Sequence, residues 1–245
     1  MGWTNTSITL NMWAPLKAIT PLGSIEVVTD YPFGDTATVT VTPNPSTSPA
    51  NLLLRIPSWA SQATLSIDGG AATPLLGSNG TFYPTRTRAG GLSSTFVINF
   101  NPQIRLESWG GGQAVVRGAL VYGAWIGQII TVIGTHPFNS KDLDITSTTP
   151  WNLALQIADL SNPAGSLTFT QTSTPTAVPF NSTAIPVMIT GKAKVVNGWV
   201  SDKNAPSALP ASPACATPGS CSDTIDVVLV PFGSTHVRMA VLPIA

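Results

Sequence analysis

The segment Thr38-Val39-Thr40-Val41-Thr42 alternates an apolar with a polar β-branched residue, and this leaves a chain little choice of structure. Successive strand side chains point to opposite faces, so a period of two collects the valines on one face and the threonines on the other. A helix would scatter both around its axis. The same period predicts strands at Ser7–Trp13, Ser24–Thr29, Thr36–Thr42, Leu52–Ile56, Ala63–Ile67 and Thr95–Phe100. A second set follows at Ala114–Val116, Leu120–Trp125, Ile129–Ile133, Leu153–Ile157, Leu167–Gln171, Ile185–Thr190, Thr224–Val230 and His236–Leu242. The 21 glycines and 22 prolines fall largely between these runs as turn punctuation, as in Asp68-Gly69-Gly70, Ser78-Asn79-Gly80 and Gly90-Gly91.

The fold class expected from this pattern is all-β, as two consecutive antiparallel β-sandwich domains. Gly110-Gly111-Gly112 reads as a hinge. It divides a first sandwich over 1–109 from a second over 113–245. Ser201 to Ser222, rich in Pro, Ala and Ser, reads as a long surface loop within the second.

Eleven basic and eleven acidic residues cancel. No basic stripe exists to neutralise phosphates, which argues against nucleic acid and anionic lipid as partners. Charged residues are only 9% of the 245, against about a quarter in ordinary soluble domains. Thr, Ser and Asn form the polar surface instead, which suits a secreted protein meeting neutral polymers. The longest apolar stretch, Ala119 to Gly134, is interrupted by Gly123, Gly127 and Gln128 and is too short to span a bilayer.

Cys215 and Cys221 flank Pro218-Gly219, a turn dipeptide that brings the thiols together. The reading is a disulfide across a small loop, and so an oxidising compartment, with two free thiols as the rival. No second Cys or His pair stands at metal-ligand spacing, so no metal or cofactor is expected. Sequons at Asn5, Asn79 and Asn181 add glycosylation to the case for an extracellular location. Met1-Gly2-Trp3-Thr4 lacks a charged and apolar leader, and reads as a mature, truncated or engineered terminus.

Several segments carry a resemblance in a consistent order. They are Ile8-Thr9-Leu10-Asn11-Met12-Trp13-Ala14-Pro15, Thr29-Asp30-Tyr31-Pro32-Phe33, Leu54-Arg55-Ile56-Pro57-Ser58-Trp59-Ala60, Arg117-Gly118-Ala119-Leu120-Val121-Tyr122, Thr148-Thr149-Pro150-Trp151-Asn152-Leu153-Ala154-Leu155 and Leu229-Val230-Pro231-Phe232-Gly233-Ser234-Thr235-His236-Val237-Arg238. This series resembles the β-sandwich region of glycoside hydrolase family 127, which includes beta-L-arabinofuranosidases. Ala119 replaces a proline and Phe232 a tyrosine of the family pattern. The resemblance implies that catalysis belongs to a preceding α/α barrel holding a cysteine nucleophile, a zinc–thiolate site and a glutamate. None of those positions has a counterpart here, and the matching blocks read as fold signatures.

No catalytic set is therefore expected. Glycoside cleavage needs two facing carboxyl groups. Glu26 and Glu107 are the only glutamates, and Asp142 and Asp144 read as solvated surface carboxylates. Asp30 reads as fixing the turn before Pro32. Ser234 and His236 lack the nucleophile elbow that would make them a catalytic pair. Binding potential rests on the seven tryptophans, whose faces can stack on sugar rings. Trp59 and Trp125 read as core; Trp109 and Trp199 read as exposed candidate ligand-binding residues. The expected function is a secreted non-catalytic module for binding, scaffolding or self-association. Its partners would be a glycan, a missing catalytic domain or a second copy. The alternatives are a fragment of an active arabinofuranosidase-type enzyme and a self-assembling structural protein.

Overall fold

The computed structural model describes residues 1–46, 48–202 and 205–245. The chain is all-β and forms two compact units, Met1–Gln103 and Ile104–Ala245.

The first unit contains β1 (Gly2–Trp3), β2 (Ser7–Leu10), β3 (Leu16–Thr20), β4 (Gly23–Thr29), β5 (Thr36–Pro43), β6 (Asn51–Arg55), β7 (Thr64–Ile67), β8 (Thr73–Pro74), β9 (Phe82–Arg86) and β10 (Ser94–Asn99). They form a four-stranded sheet, β1-β2-β6-β9, and a six-stranded sheet, β3-β4-β5-β10-β7-β8. In β5 the odd positions Val39 and Val41 are buried, with threonines between them on the outer face. Ile8, Leu10, Leu52 and Leu54 from one sheet join Ile25, Val27, Phe96 and Ile98 from the other in a single apolar core. Each such side chain contributes about 1.5–3 kcal/mol by leaving water. One pairing departs from the antiparallel expectation. β2 runs parallel to β6, with Leu10 opposite Leu54.

Asp68-Gly69 is the turn the sequence predicts, with both residues at positive φ. The strand at Leu16–Thr20 and that at Phe82–Arg86 are additions to the expected set. Pro84 in β9 is tolerated because β9 is the edge of its sheet.

The second unit contains β11 (Ile104–Trp109), β12 (Gly112–Arg117), β13 (Leu120–Ala124), β14 (Gln128–Thr135), β15 (Lys141–Ser147), β16 (Leu153–Leu155), β17 (Thr168–Gln171), β18 (Val187–Val196), β19 (Ser201–Asp202), β20 (Ala205–Pro206), β21 (Cys221–Pro231) and β22 (Val241–Leu242). Its main sheet runs β11-β12-β13-β21-β18-β16, with β17 also on β18 and β22 also on β12. The chain end ties this sheet across itself. β22 pairs with β12, while Ile244 bridges to Leu155 of β16. β14 and β15 form a separate two-stranded hairpin.

The triple glycine is not at the division between the units. Gly110 and Gly111, at φ +56° and +91°, are the two-residue turn between β11 and β12. Such a tight hairpin needs positive φ at both central positions, which glycine supplies without a Cβ clash. A hinge and a hairpin turn ask for the same residue, and only the pairing of Trp109 with Gly112 separates them.

Cys215 and Cys221 are joined as a disulfide. Gly219 (φ +80°) and a hydrogen bond from the Ser220 N–H to the Thr217 carbonyl (3.1 Å) make the turn between them. The expected loop over 201–222 carries the short β19–β20 pair, and residues 203 and 204 lie outside the described residues. Its Ala214 N–H reaches the Ile244 carbonyl at 2.7 Å.

Candidate functional site: an aromatic groove in the first unit

The parallel pairing of β2 with β6 has a local result. Both strands leave the sheet at the same end, so the segments that follow them emerge side by side. Asn11, Met12 and Trp13 follow β2; Pro57, Ser58 and Trp59 follow Arg55, the last residue of β6. The Trp13 indole N–H donates to the Arg55 carbonyl at 2.8 Å, which locks the two exits together.

The turn after β4 adds Tyr31. The Thr29 hydroxyl donates to the Thr36 carbonyl (2.7 Å) and accepts from the Tyr31 N–H (3.0 Å). The Asp30 carbonyl accepts from the Phe33 and Gly34 N–H groups at 2.9 and 3.0 Å. Asp30 thus helps close the turn through its main chain, and the Tyr31–Pro32 peptide is cis.

These three segments line one open groove of about 310 Å³, walled by Trp13, Tyr31, Arg55, Pro57, Ser58 and Trp59 among others. The aromatic residues of its wall pack on Phe100, which is fully buried. The rings of Trp13, Tyr31 and Trp59 surround Phe100 at centroid distances of 5.2, 5.9 and 5.9 Å, tilted by 67°, 59° and 61°. Edge-on packing of this kind is favoured by the ring quadrupoles. Tyr31 and Trp59 lie nearly parallel, 10° apart at 6.5 Å. Both are half-buried, so each keeps part of its surface open. Burial raises the Tyr31 hydroxyl pKa above the usual 10.0, keeping it a neutral donor. Arg55 lies within 5.8 Å of the Phe82 ring centroid.

The tryptophans singled out from sequence divide. Trp109 is 73% exposed on the β11–β12 hairpin. Trp199 is not at the surface. It is 3% exposed, donates its indole N–H to the Ser207 carbonyl (3.2 Å) and packs edge-on against Trp151 at 5.3 Å. The Asn197-Gly198 turn before it folds the ring inward instead of presenting it. Trp125, expected in the core, is 47% exposed because its strand ends at Ala124. Trp59 packs against the core as expected, and its remaining surface faces the groove.

The acid–base candidates do not converge. Glu26 pairs with Lys17 (3.6 Å) and Glu107 with Arg105 (3.0 Å), all at the surface. Asp142 and Asp144 sit exposed on β15, with Asp142 accepting from His136 at 2.6 Å. Ser234 is buried, whereas His236 is exposed and faces Gln128 at 3.3 Å. Among the described residues, no group of three His, Cys, Asp or Glu side chains could hold a metal ion. Asn5 and Asn79 are exposed; Asn181 is half-buried and accepts from the Thr183 N–H and hydroxyl, both at 2.8 Å.

The groove residues were visible in the sequence only as fold signatures. What could have marked them is position: Trp13, Tyr31 and Trp59 are large aromatic residues at or just beyond strand ends, where a side chain need not be swallowed by a sheet face.

Comparison with known proteins agrees with the sequence resemblance. Residues 7–91, which include every residue that lines the groove, match the family model of the beta-L-arabinofuranosidase GH127 middle domain. No curated protein matches the chain. Among solved structures, a glycoside hydrolase aligns over 99% of this chain and 36% of its own, at 17% identity and a TM-score of 0.62. A GH127 beta-arabinofuranosidase aligns over 98% and 35%, at 16% identity and 0.58. A GH127 beta-L-arabinofuranosidase from Geobacillus stearothermophilus T6 aligns over 95% and 32%, at 17% identity and 0.54. The fold of the whole chain is thus that of a GH127-like piece, and it spans about a third of the length of these structures.

Proposed function

We propose that this chain is a non-catalytic, exported carbohydrate-binding module related to GH127 glycosidases, and that a sugar ring sits in the groove of the first unit. The observation that carries this reading is the meeting of three separate turns around Phe100, which leaves Tyr31 and Trp59 nearly parallel at an open cleft. An aromatic face covers the apolar face of a sugar, and the Asn11 amide and Ser58 hydroxyl offer hydrogen bonds to its hydroxyls. The scattered carboxylates support a role without bond cleavage. The disulfide and the three sequons support export.

A glycan array probed with the purified chain tests this, followed by titration calorimetry on the hits. Trp59→Ala is expected to lose at least tenfold in affinity at a temperature where it remains folded, its melting temperature falling because the ring also packs on Phe100. Silence across plant, fungal and bacterial glycans would overturn the reading. Release of arabinose from an arabinofuranoside by this chain alone would overturn its non-catalytic part.

A second reading is favoured by the β14–β15 hairpin, which exposes Ile129, Ile130, Val132, Ile133, Phe138 and Leu143. An isolated two-stranded hairpin is marginal in water. We propose that a second copy, or the remainder of a longer glycosidase, covers this arm. Light scattering of the chain at rising concentration separates the two: a doubled mass supports the second copy, and a constant monomer mass excludes it.

A further inference from the structure

We infer that the groove of the first unit selects an acidic sugar, with Arg55 reading its carboxylate. The inference rests on the carbohydrate reading above and narrows the ligand to a class.

It starts from the cations of the first unit and the partner each one holds. Lys17 pairs with Glu26 at 3.6 Å, and Arg88 pairs with Asp68 at 3.0 Å. The Arg86 Nε–H donates to the Asn51 side-chain carbonyl at 3.2 Å. Arg55 differs. Among the described residues its guanidinium has neither a carboxylate nor a hydrogen-bonded partner, only the Phe82 ring at 5.8 Å. Arg55 is the one charged residue among the described residues that line the groove, which include Asn11, Ser58 and the aromatic residues. Asp30, next in sequence to Tyr31, is exposed and is not part of the groove wall. The charge offered to a ligand is therefore positive.

The chemistry of a guanidinium narrows the ligand. Its planar fork matches a carboxylate with two parallel N–H···O bonds, and such charge-assisted pairs are roughly twice as strong as neutral ones. A neutral sugar would use the rings and the Asn11 and Ser58 groups but leave this fork to water. A uronic acid uses all three features at once: its ring face on Tyr31 or Trp59, its hydroxyls on Asn11 and Ser58, its carboxylate on Arg55. About 310 Å³ lies at the small end of ligand sites and holds one sugar ring with its linkage rather than a long oligomer.

The backbone of Arg55 is already committed, since its carbonyl holds the Trp13 indole at 2.8 Å. This separates the structural role of the residue from the recognition role of its side chain. Arg55→Gln keeps the carbonyl and removes the charge.

The test uses the full chain and trisaccharides of galacturonic acid and of glucuronic acid, each beside its methyl ester. The ester keeps the shape and removes the charge. Calorimetry at low salt is expected to show at least one acid binding tenfold or more tightly than its ester, with the margin shrinking as salt rises. Arg55→Gln should erase that margin and leave ester binding within about twofold. Arg55→Lys, a point charge without the fork, should restore only part of it. Trp59→Ala should weaken acid and ester alike. If acid and ester bind equally, or the margin survives Arg55→Gln, the inference fails while the sugar site stands. If none of the four probes binds and the glycan array is silent, the carbohydrate reading fails and this inference with it.

Discussion

The indole N–H of Trp13 donates to the carbonyl of Arg55 across 42 residues of sequence, at 2.8 Å. The bond joins the exits of two parallel strands and sets one wall of the groove. Trp13 is 6% exposed, so no bulk water stands ready to replace it.

Trp13→Phe should therefore leave a carbonyl short of its donor while keeping most of the packing on Phe100. The expected cost is about 1–3 kcal/mol. Urea denaturation checks it, and an unchanged midpoint would show that the bond adds nothing to stability.

Gly23 opens β4 at φ +137°, and a Cβ there would lie 2.2 Å from the Thr42 carbonyl oxygen and 2.6 Å from the Pro43 Cα. Both are backbone atoms of the neighbouring strand, so no side chain can swing away. Gly23→Ala is expected to cost about 3 kcal/mol or more through strain and displaced pairing. A thermal melt that matches the parent would contradict this.

Burial raises the Tyr31 pKa above 10.0. The folded state therefore holds its phenolic proton more tightly than the unfolded chain does. This contribution to stability is fully present below about pH 10 and is lost as pH rises through the folded-state value. Stability of the parent should fall across that alkaline window, and Tyr31→Phe should fall less. Equal slopes for the two proteins in denaturation series from about pH 8 to about pH 11 would rule out Tyr31 as a source.

β14 carries no ionisable residue, while β15 carries Lys141, Asp142 and Asp144. Charged side chains on β15 therefore weigh against edge pairing there, whereas a pair of β14 edges buries no charge. Val132→Lys, on a residue 50% exposed, should return any concentration-dependent assembly to monomer mass in light scattering, with folding stability changed by less than about 1 kcal/mol. Assembly that persists in Val132→Lys would place the contact elsewhere.

Where one face of a strand meets a core, the chain could be read directly. Val39 and Val41 went inward because β5 is central in its sheet and its outer face is polar. The positive-φ demand at Asp68-Gly69 was equally local. What could not be read depends on partners distant in sequence. Nothing near Leu10 or Leu54 announces that their strands run parallel. Trp199 and Trp125 exchanged their expected burial because a turn and a strand end decided it, not hydrophobicity. The groove escaped for the same reason. Each ring belongs to a turn with its own local logic, and only the sheet order brings the three turns together.

The parallel pairing also bears on how quickly the first unit can assemble. β2 cannot find β6 through a short turn, because β3, β4 and β5 of the other sheet lie between them in the chain. Closing so wide a loop costs entropy before any contact rewards it. Refolding is thus expected to be slower than hairpin closure alone would allow, which lengthens the interval during which apolar side chains stay exposed. Expression at lower temperature or with chaperones bears on that interval rather than on the final equilibrium.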